Sequence, residues 1–538
     1  MPEKSRADLL IALGLFVVTC LYLRIFYNYT KFNPDEGLIL QGAERILNGE
    51  VLYRDFFSFY TPGSYYWTAL LFKVFGNSLL VARAALVVYG GIFSVFTYLL
   101  ARRVCSRWAA IFTVYLLTLT ALPSAFVYLH NWDSTVWACL AVYFAVRFLE
   151  TPNWRFASTM GAFSSLTCLF EQSKGGGLVL GLALGFGAIL ALSGNRKFKL
   201  QHIGAAGAGF ALPLLLTASY FALQHSLPQM LEAWTWPLWH YSSVNKVPYG
   251  WLELTPSSLQ EIHAATWPVR LGIIFILSPY ILVPVLPFLA LGFLGLSGYR
   301  LRRGQDNRDV ARYLVLVSGA LVGLFLSVLI ARPDTNHILF DGPLFFLVLA
   351  WGLEDSCVRS QLWNTLRPLA TLDLLLSFTA LGLALLLIPL HALIQVRTRR
   401  GTLKADMADS ALEELQARVQ PGQKIFIYPY QPLYYFLSAT FNATGYEALF
   451  PGMHTPEQFD EAFRELGSAR PPVVLIQPSF PEVMAVYWQA KPSKEFSGQD
   501  PGVLYLLAHY RPCKVMMTSH SLRFVFMVRK DLSCAGPL

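Results

Sequence analysis

Long apolar runs separated by short polar and basic stretches dominate roughly the first 390 residues of the chain. A membrane-spanning helix needs about 20 mainly apolar residues. Runs of that kind predict spans near 9–27, 78–101, 108–128, 133–150, 156–171, 176–193, 203–223, 269–296, 313–331, 338–353 and 368–390. After His391 the pattern changes to that of a water-soluble domain. Asp406 to Val419 reads as an amphipathic helix, and Lys424–Tyr428, Val473–Ile476 and Phe524–Val528 read as short buried strands. Thr455 opens a T-x-x-Q capping box with proline at the first helical position, which carries a helix to about Leu466. Strands alternating with helices predict a small α/β domain. The expected architecture is a polytopic α-helical membrane protein of about eleven spans over 1–398, followed by a soluble domain over 399–538.

Composition agrees with the pattern. Hydrophobic residues make up 55% of the 538 positions and charged residues only 14%, against about 25% charged in a soluble protein. The net charge of +9 does not indicate nucleic acid, because the basic residues form no single patch. They recur in blocks between apolar runs: Arg102, Arg103 and Arg107; Arg155; Arg196, Lys197 and Lys199; Arg300 to Arg312; Arg359 and Arg367. If the N-terminus is cytoplasmic, each block falls on the inside. Eleven spans would then place the C-terminal domain outside, in the periplasm of a bacterial inner membrane protein. The first apolar stretch shows no small-residue cleavage site and is expected to stay as a span. The seven cysteines contain no C-x-x-C pair, which argues against a cysteine-held metal. Cys513 and Cys534 alone fall in the outer domain, as a bridge or as two free thiols. That domain has no G-x-G-x-x-G or P-loop to hold a nucleotide.

The segment 28–75 is too polar to span and too long for a turn. Asn33-Pro34-Asp35-Glu36 opens a helix whose Ile39, Ala43, Ile46 and Leu47 form one apolar stripe, and Asn48-Gly49 ends it. Such a helix is expected to lie flat on the bilayer surface. Its two acidic residues complement the helix dipole without any chemistry. A third carboxylate, Asp55, follows, and then Thr61-Pro62 leads into Tyr65, Tyr66 and Trp67. Asp35, Glu36 and Asp55 could together hold a hard divalent cation through oxygen as a cofactor, although no standard metal-binding loop is present.

The run N-P-D-E-G-L-I-L-Q-G-A-E-R-I-L-N-G-E-V-L-Y-R-D, followed by T-P-G-S-Y-Y-W, resembles the first outside loop of the GT-C membrane glycosyltransferases. It is most similar to the branch of the protein O-mannosyltransferases and the aminoarabinose transferases that modify lipid A. The likeness is specific over about 45 residues. It departs at Pro62-Gly63, where many members have two prolines. The resemblance implies transfer of a sugar from a polyprenyl-phosphate donor to a lipid, glycan or protein acceptor on the outer face. It implies that Asp35 is the base for the acceptor hydroxyl, with inversion at the anomeric carbon.

Two further stretches carry candidate chemistry. Glu171-Gln-Ser-Lys174-Gly-Gly-Gly177 could present Lys174 and backbone N–H groups to a donor phosphate, or could be a tight turn with a snorkelling lysine. Arg332-Pro-Asp334-Thr-Asn-His337 could grip phosphate through Arg332 and His337, or could be a capped turn. The resemblance favours the phosphate role for both, since relatives carry a similar lysine and a similar R-x-D-x-x-H. His130-Asn131-Trp132-Asp133 and the aromatic loop from Gln224 to Trp267 read more simply as span ends and an interfacial belt. The rival reading is a transporter or flippase of a lipid-linked saccharide, which should carry polar residues deep in its spans. A third is a scaffold whose outer domain binds a partner.

Overall fold

The computed structural model describes all residues except 1–5, 194–198, 242–244, 246, 253, 255, 305–307, 355–360, 481–499, 519–522 and 536–538. The first part of the chain is helical: α1 (Arg6–Leu23), α2 (Pro34–Leu47), α3 (Gly63–Phe75), α4 (Leu79–Ala101), α5 (Arg107–Ser124), α6 (His130–Glu150), α7 (Trp154–Phe170), α8 (Gln172–Ser193), α9 (Leu200–Leu223) and α10 (Leu227–Trp236). After Tyr241 come α11 (Pro256–Ala264), α12 (Trp267–Leu282), α13 (Leu286–Arg303) and α14 (Arg308–Ala331). Then follow the short α15 (Thr335–Phe340), α16 (Gly342–Phe345) and α17 (Leu347–Leu353), and the long α18 (Gln361–His391). Among the described residues, seven helical stretches have the length and apolar composition to cross a membrane. Long, lipid-length helices exposing leucines on their outer faces make this an integral membrane protein.

Two features differ from expectation. The span predicted at 338–353 is broken into three short helices, because Asp341, Gly342 and Pro343 interrupt it. The glycine run at 175–177 is not a turn; it lies inside α8. Gly175 and Gly177 serve close packing, whereas an added Cβ on Gly176 would meet nothing within 4 Å. A Cβ on Gly177 would lie 2.3 Å from the Gly323 carbonyl oxygen of α14, and one on Gly175 would lie 2.4 Å from the Cys168 backbone. Gly181 and Gly185 continue the same seam against Gly319 and Leu316, so α8 and α14 meet backbone to backbone.

At one end of the bundle the charges are paired. Asp8 of α1 meets Arg102 at 3.2 Å and Arg107 at 2.9 Å, and Arg103 meets Glu150 at 3.1 Å. The basic block 102–107 thus ties together the ends of α1, α4 and α6.

The chain leaves α18 at His391 and forms a hairpin, β1 (Ile394–Thr398) with β2 (Gly401–Ala405). The rest is α19 (Ser410–Arg418), β3 (Lys424–Tyr428), α20 (Pro432–Leu437), β4 (Phe441–Asn442), α21 (Pro456–Ala469), β5 (Val473–Ile476), α22 (Pro501–His509), β6 (Tyr510–Met517) and β7 (Arg523–Arg529). Five strands form a mixed sheet in the order β4-β3-β5-β7-β6, with β3 parallel to β4 and β5 and the other pairs antiparallel. The capping box at Thr455 and Gln458 is made in both directions. Cys513 and Cys534 are joined in a disulfide, with Cα atoms 5.6 Å apart.

The helix expected to lie on the bilayer instead lies between the two parts of the molecule. Asn33 caps α2 by accepting from the Asp35 N–H at 2.9 Å. Ile39 and Ala43 of the apolar stripe are buried as predicted, but so are Glu36, Gln41, Glu44 and Arg45 on the polar side. For Glu44 and Arg45 the C-terminal domain supplies partners. Arg400 pairs with Glu44, and Arg45 donates to the Thr444 carbonyl at 3.0 Å. Gly37 touches the backbone of α20 so closely that a Cβ there would lie 2.0 Å from the Leu433 nitrogen.

Gly37→Ala should therefore force the domain off α2. Thermal unfolding in detergent should show a loss equivalent to about 1–3 kcal/mol or more, whereas Gly14→Ala, with open space around its Cα, should leave the melt unchanged. Equal melts for the two variants would disprove the close contact.

Candidate active site

A cavity of about 1490 Å³ lies between the helices and the C-terminal domain. Asp35 opens into it from the first turn of α2, with its side chain exposed to the cavity and the C-terminal domain packed around it. Tyr430, from the loop after β3, donates a hydrogen bond to Asp35 Oδ1. Arg332 and His337 line the same cavity. Enclosure raises the pKa of Asp35, while the Tyr430 hydrogen bond and the positive fields of Arg332 and His337 pull it down; enclosure wins.

Arg332 and His337 are organised by Asp334. Asp334 caps α15 by accepting from the His337 N–H at 2.8 Å, pairs with Arg332, and meets His337 Nδ1 at 2.8 Å. Burial would raise the Asp334 pKa, but His337 and Arg332 hold it down at about 2. Arg332 also donates to Asn245 Oδ1 and lies over the Trp251 ring, 5.7 Å from its centroid. The capped-turn reading is met, and the same cap holds the Arg332 and His337 side chains at the cavity wall.

The other sequence-selected residues go elsewhere. Glu36 is fully buried in a bidentate pair with Arg83 of α4, at 2.6 Å for Oε2, and also accepts from the Tyr128 N–H at 3.0 Å. Asp55 pairs with its neighbour Arg54 at 2.7 Å and caps the Val51 N–H at 2.7 Å. Asp35, Glu36 and Asp55 thus face three different surroundings and do not converge on a shared cation. Among the described residues no group of three or more His, Cys, Asp or Glu side chains is gathered for a metal. Lys174 turns away from the cavity into a buried cluster. It meets Glu171 at 3.2 Å and Asp341 at 3.3 Å, and donates to Thr135 Oγ1 at 2.8 Å and the Asn131 carbonyl at 2.9 Å. Unlike Arg332 it does not line the cavity, and two carboxylates hold its charge within this cluster.

Several residues lining or bordering the cavity were not chosen as site residues from the sequence, and some of them were read as span ends or an interfacial belt. Tyr60 packs on His130, with ring centroids 4.2 Å apart. Trp236 stacks on Phe59 at 5.2 Å and on His240 at 4.9 Å. The C-terminal domain adds Tyr430, Glu447 and His454. His454 accepts from the Phe450 N–H at 3.0 Å, and burial holds its pKa down at about 3. Nothing in the local sequence marks these residues, because their role depends on which part of the chain they face. Toward the membrane helices the walls become apolar, with Leu180, Leu277, Leu326, Ile330, Leu385 and Ile388.

The architecture is thus a bundle of long apolar helices, a helix carrying Asp35 after the first of them, and a C-terminal domain that closes over that helix. In sequence, the family described as dolichyl-phosphate-mannose-protein mannosyltransferase matches residues 60–221. No curated protein sequence matches the chain. In fold it is similar over 99% of its length to ArnT from Cupriavidus metallidurans, solved with undecaprenyl phosphate bound, at 12% identity, a TM-score of 0.55 and 99% coverage of that chain. It is also similar to the archaeal oligosaccharyltransferase AglB from Archaeoglobus fulgidus, solved with an inhibitory peptide and a dolichol-phosphate. There the identity is 10% and the TM-score 0.51, over 99% of this chain and 76% of that one.

Lys174→Met should leave Glu171 and Asp341 buried without their cation. The expected outcome is a destabilisation of roughly 3–5 kcal/mol, read as a lowered melting temperature and loss of monodisperse protein in detergent. A melt equal to that of the unaltered protein would return Lys174 to an accessible, ligand-binding role.

Proposed function

We propose that this chain is a glycosyltransferase that moves a sugar from a polyprenyl-phosphate donor to a hydroxyl of a lipid, glycan or protein acceptor. The reaction takes place on the extracytoplasmic face of a bacterial inner membrane. One observation carries the reading: a carboxylate, Asp35, the guanidinium of Arg332 and the imidazole of His337 face one cavity whose walls turn apolar among the membrane helices. That combination suits a ligand with a lipid tail, a phosphate and a reacting carbon. The fold shared with ArnT and AglB, and the match to a mannosyltransferase family, support the same class of donor.

The chemistry is a direct displacement. Asp35 takes the proton of the acceptor hydroxyl as the acceptor oxygen bonds to the anomeric carbon. The bond from that carbon to the phosphate oxygen breaks, and its electron pair leaves with the polyprenyl phosphate. Arg332 and His337 offset the charge that builds there. Asp334 occupies His337 Nδ1, which leaves Nε2 to meet the phosphate. One displacement without a covalent intermediate inverts the anomeric centre. A carboxylate whose pKa is raised is a stronger base than an ordinary aspartate, and Tyr430 on Oδ1 directs the acceptor toward Oδ2.

Asp35→Asn should keep expression and donor binding and lose transfer by roughly 10²–10⁴-fold, measured with purified protein and polyprenyl-phosphate sugars. Arg332→Ala should weaken donor binding by about 10–100-fold. Near-normal turnover by Asp35→Asn would overturn the assignment of the base.

Tyr430→Phe removes a hydrogen bond that favours the charged carboxylate, so the Asp35 pKa should rise further. The base works only when deprotonated, so activity is lost as pH falls through that pKa. The acid limb of kcat/KM should therefore move to higher pH in Tyr430→Phe. An unmoved limb would show that Tyr430 does not act on Asp35.

A further inference from the structure

Glu447 stands in the short segment that runs beside the loop after β3, where Ala448 bridges to Tyr430. Its side chain is 4% exposed, yet among the described residues it makes neither a hydrogen bond nor an ion pair, and its Oε1 is a buried acceptor without a donor. A carboxyl group left in that state is costly unless something supplies the missing partner. The nearest cation, Arg45, is already committed to Glu50 at 2.6 Å, to the carbonyls of Thr444 and Asp55, and to the face of Phe56. The carboxyl lines the main cavity together with Phe57, Ser58, Tyr60 and Tyr65. Its Oε1 rests over Gly42 of α2, where an added Cβ would come within 3.3 Å of it and 2.3 Å of the Tyr65 ring.

Gly42 lies seven residues after Asp35 on the same helix, about 10 Å along its axis. Asp35 and Glu447 therefore mark two ends of one stretch of cavity wall, with aromatic rings between them. A carboxyl group with open hydrogen-bonding capacity beside aromatic faces is the chemistry that binds a sugar ring, which presents hydroxyls at its edge and C–H groups on its face.

We infer that Glu447 is a positioning residue that hydrogen-bonds a hydroxyl of the transferred sugar while the anomeric carbon lies at Asp35. This rests on the glycosyltransferase reading above. Burial pushes the Glu447 pKa up to about 8, with Arg45 opposing and Glu50 adding to the rise. Near neutrality the group is then largely an uncharged carboxyl, which donates one hydrogen bond and accepts others. It thus serves a neutral hydroxyl without the cost of holding a bare charge. The C-terminal domain would in this way select the donor sugar and not only cover the site.

The test uses the full-length protein in detergent with an undecaprenyl-phosphate hexose that it turns over, and with the monodeoxy forms of that donor. The unaltered protein should penalise one deoxy donor by about 10–100-fold in kcat/KM, the worth of a hydrogen bond to a site built for it. Glu447→Ala should lower kcat/KM for the full donor by a similar factor and treat it and that deoxy donor alike, with acceptor KM unchanged. Glu447→Gln, which keeps the size and part of the hydrogen bonding, should fall between them, and it carries the test should the alanine variant fail to fold. Variants that keep the discrimination of the unaltered protein would overturn the role of Glu447. A change confined to acceptor KM would overturn its assignment to the donor sugar. Absence of transfer by the unaltered protein from every such donor would overturn the glycosyltransferase reading, and this inference with it.

Discussion

Glu36 carries its charge into a place without water, and Arg83 meets it there with two parallel hydrogen bonds. Breaking such a pair is costly because the remaining charge has no solvent to return to. The rest of Arg83 is equally committed, since its Nη1 donates to the carbonyls of Tyr29 and Phe126. This pair fixes the rotation of α2 against the bundle. Successive helical residues point about 100° apart, so anchoring Glu36 decides the directions of its neighbours. Asp35 turns into the cavity, and Gly37 turns against the backbone of Leu433 in the C-terminal domain. Three consecutive residues thus address the cavity, the bundle and the domain.

The same economy governs the other buried charges. Lys174 holds Glu171 and Asp341 together between α8 and the broken helix that follows α14. Glu171 also borders the cavity and accepts from Ser134 at 2.7 Å, so the lysine steadies the wall without reaching the ligand space. Arg332 is held by Asp334 and Asn245 and stays at the cavity. Two cations, alike in sequence as candidates for phosphate, are separated by what surrounds them. One is enclosed by two carboxylates and the other by one, with an aromatic ring beside it.

The cavity belongs to both parts of the chain. The bundle supplies the carboxylate, the cationic pair and the apolar path, and the C-terminal domain supplies Tyr430, Glu447 and His454. The domain is bound to α2 through Arg400, Thr444 and Leu433, so its position and that of Asp35 are coupled through one helix. A displacement of the domain would move the Tyr430 hydrogen bond on Asp35 as well as the cavity wall.

Features set by local physics were legible from the sequence: the apolar runs, the Asn33 and Thr455 caps, the strands at Lys424–Tyr428 and Val473–Ile476, and the helix that carries Asp35. Each depends on neighbours a few residues away. The placement of Asp35 at the end of the first span was legible for the same reason, and the cap at Asp334 explains why Arg332 and His337 lie together. Partnership across long distances was not legible. Glu36 meets a residue 47 positions on, and Asp35 meets one 395 positions on. The polar face of α2 was read as facing water because nothing near it in sequence announces Arg400 or Thr444. The glycines after Lys174 read as a phosphate cradle or a tight turn, and only the packing of α14 shows that Gly177 admits a neighbouring helix. A side chain's type limits the bonds it can make, but only the folded surroundings determine which of those bonds are already taken.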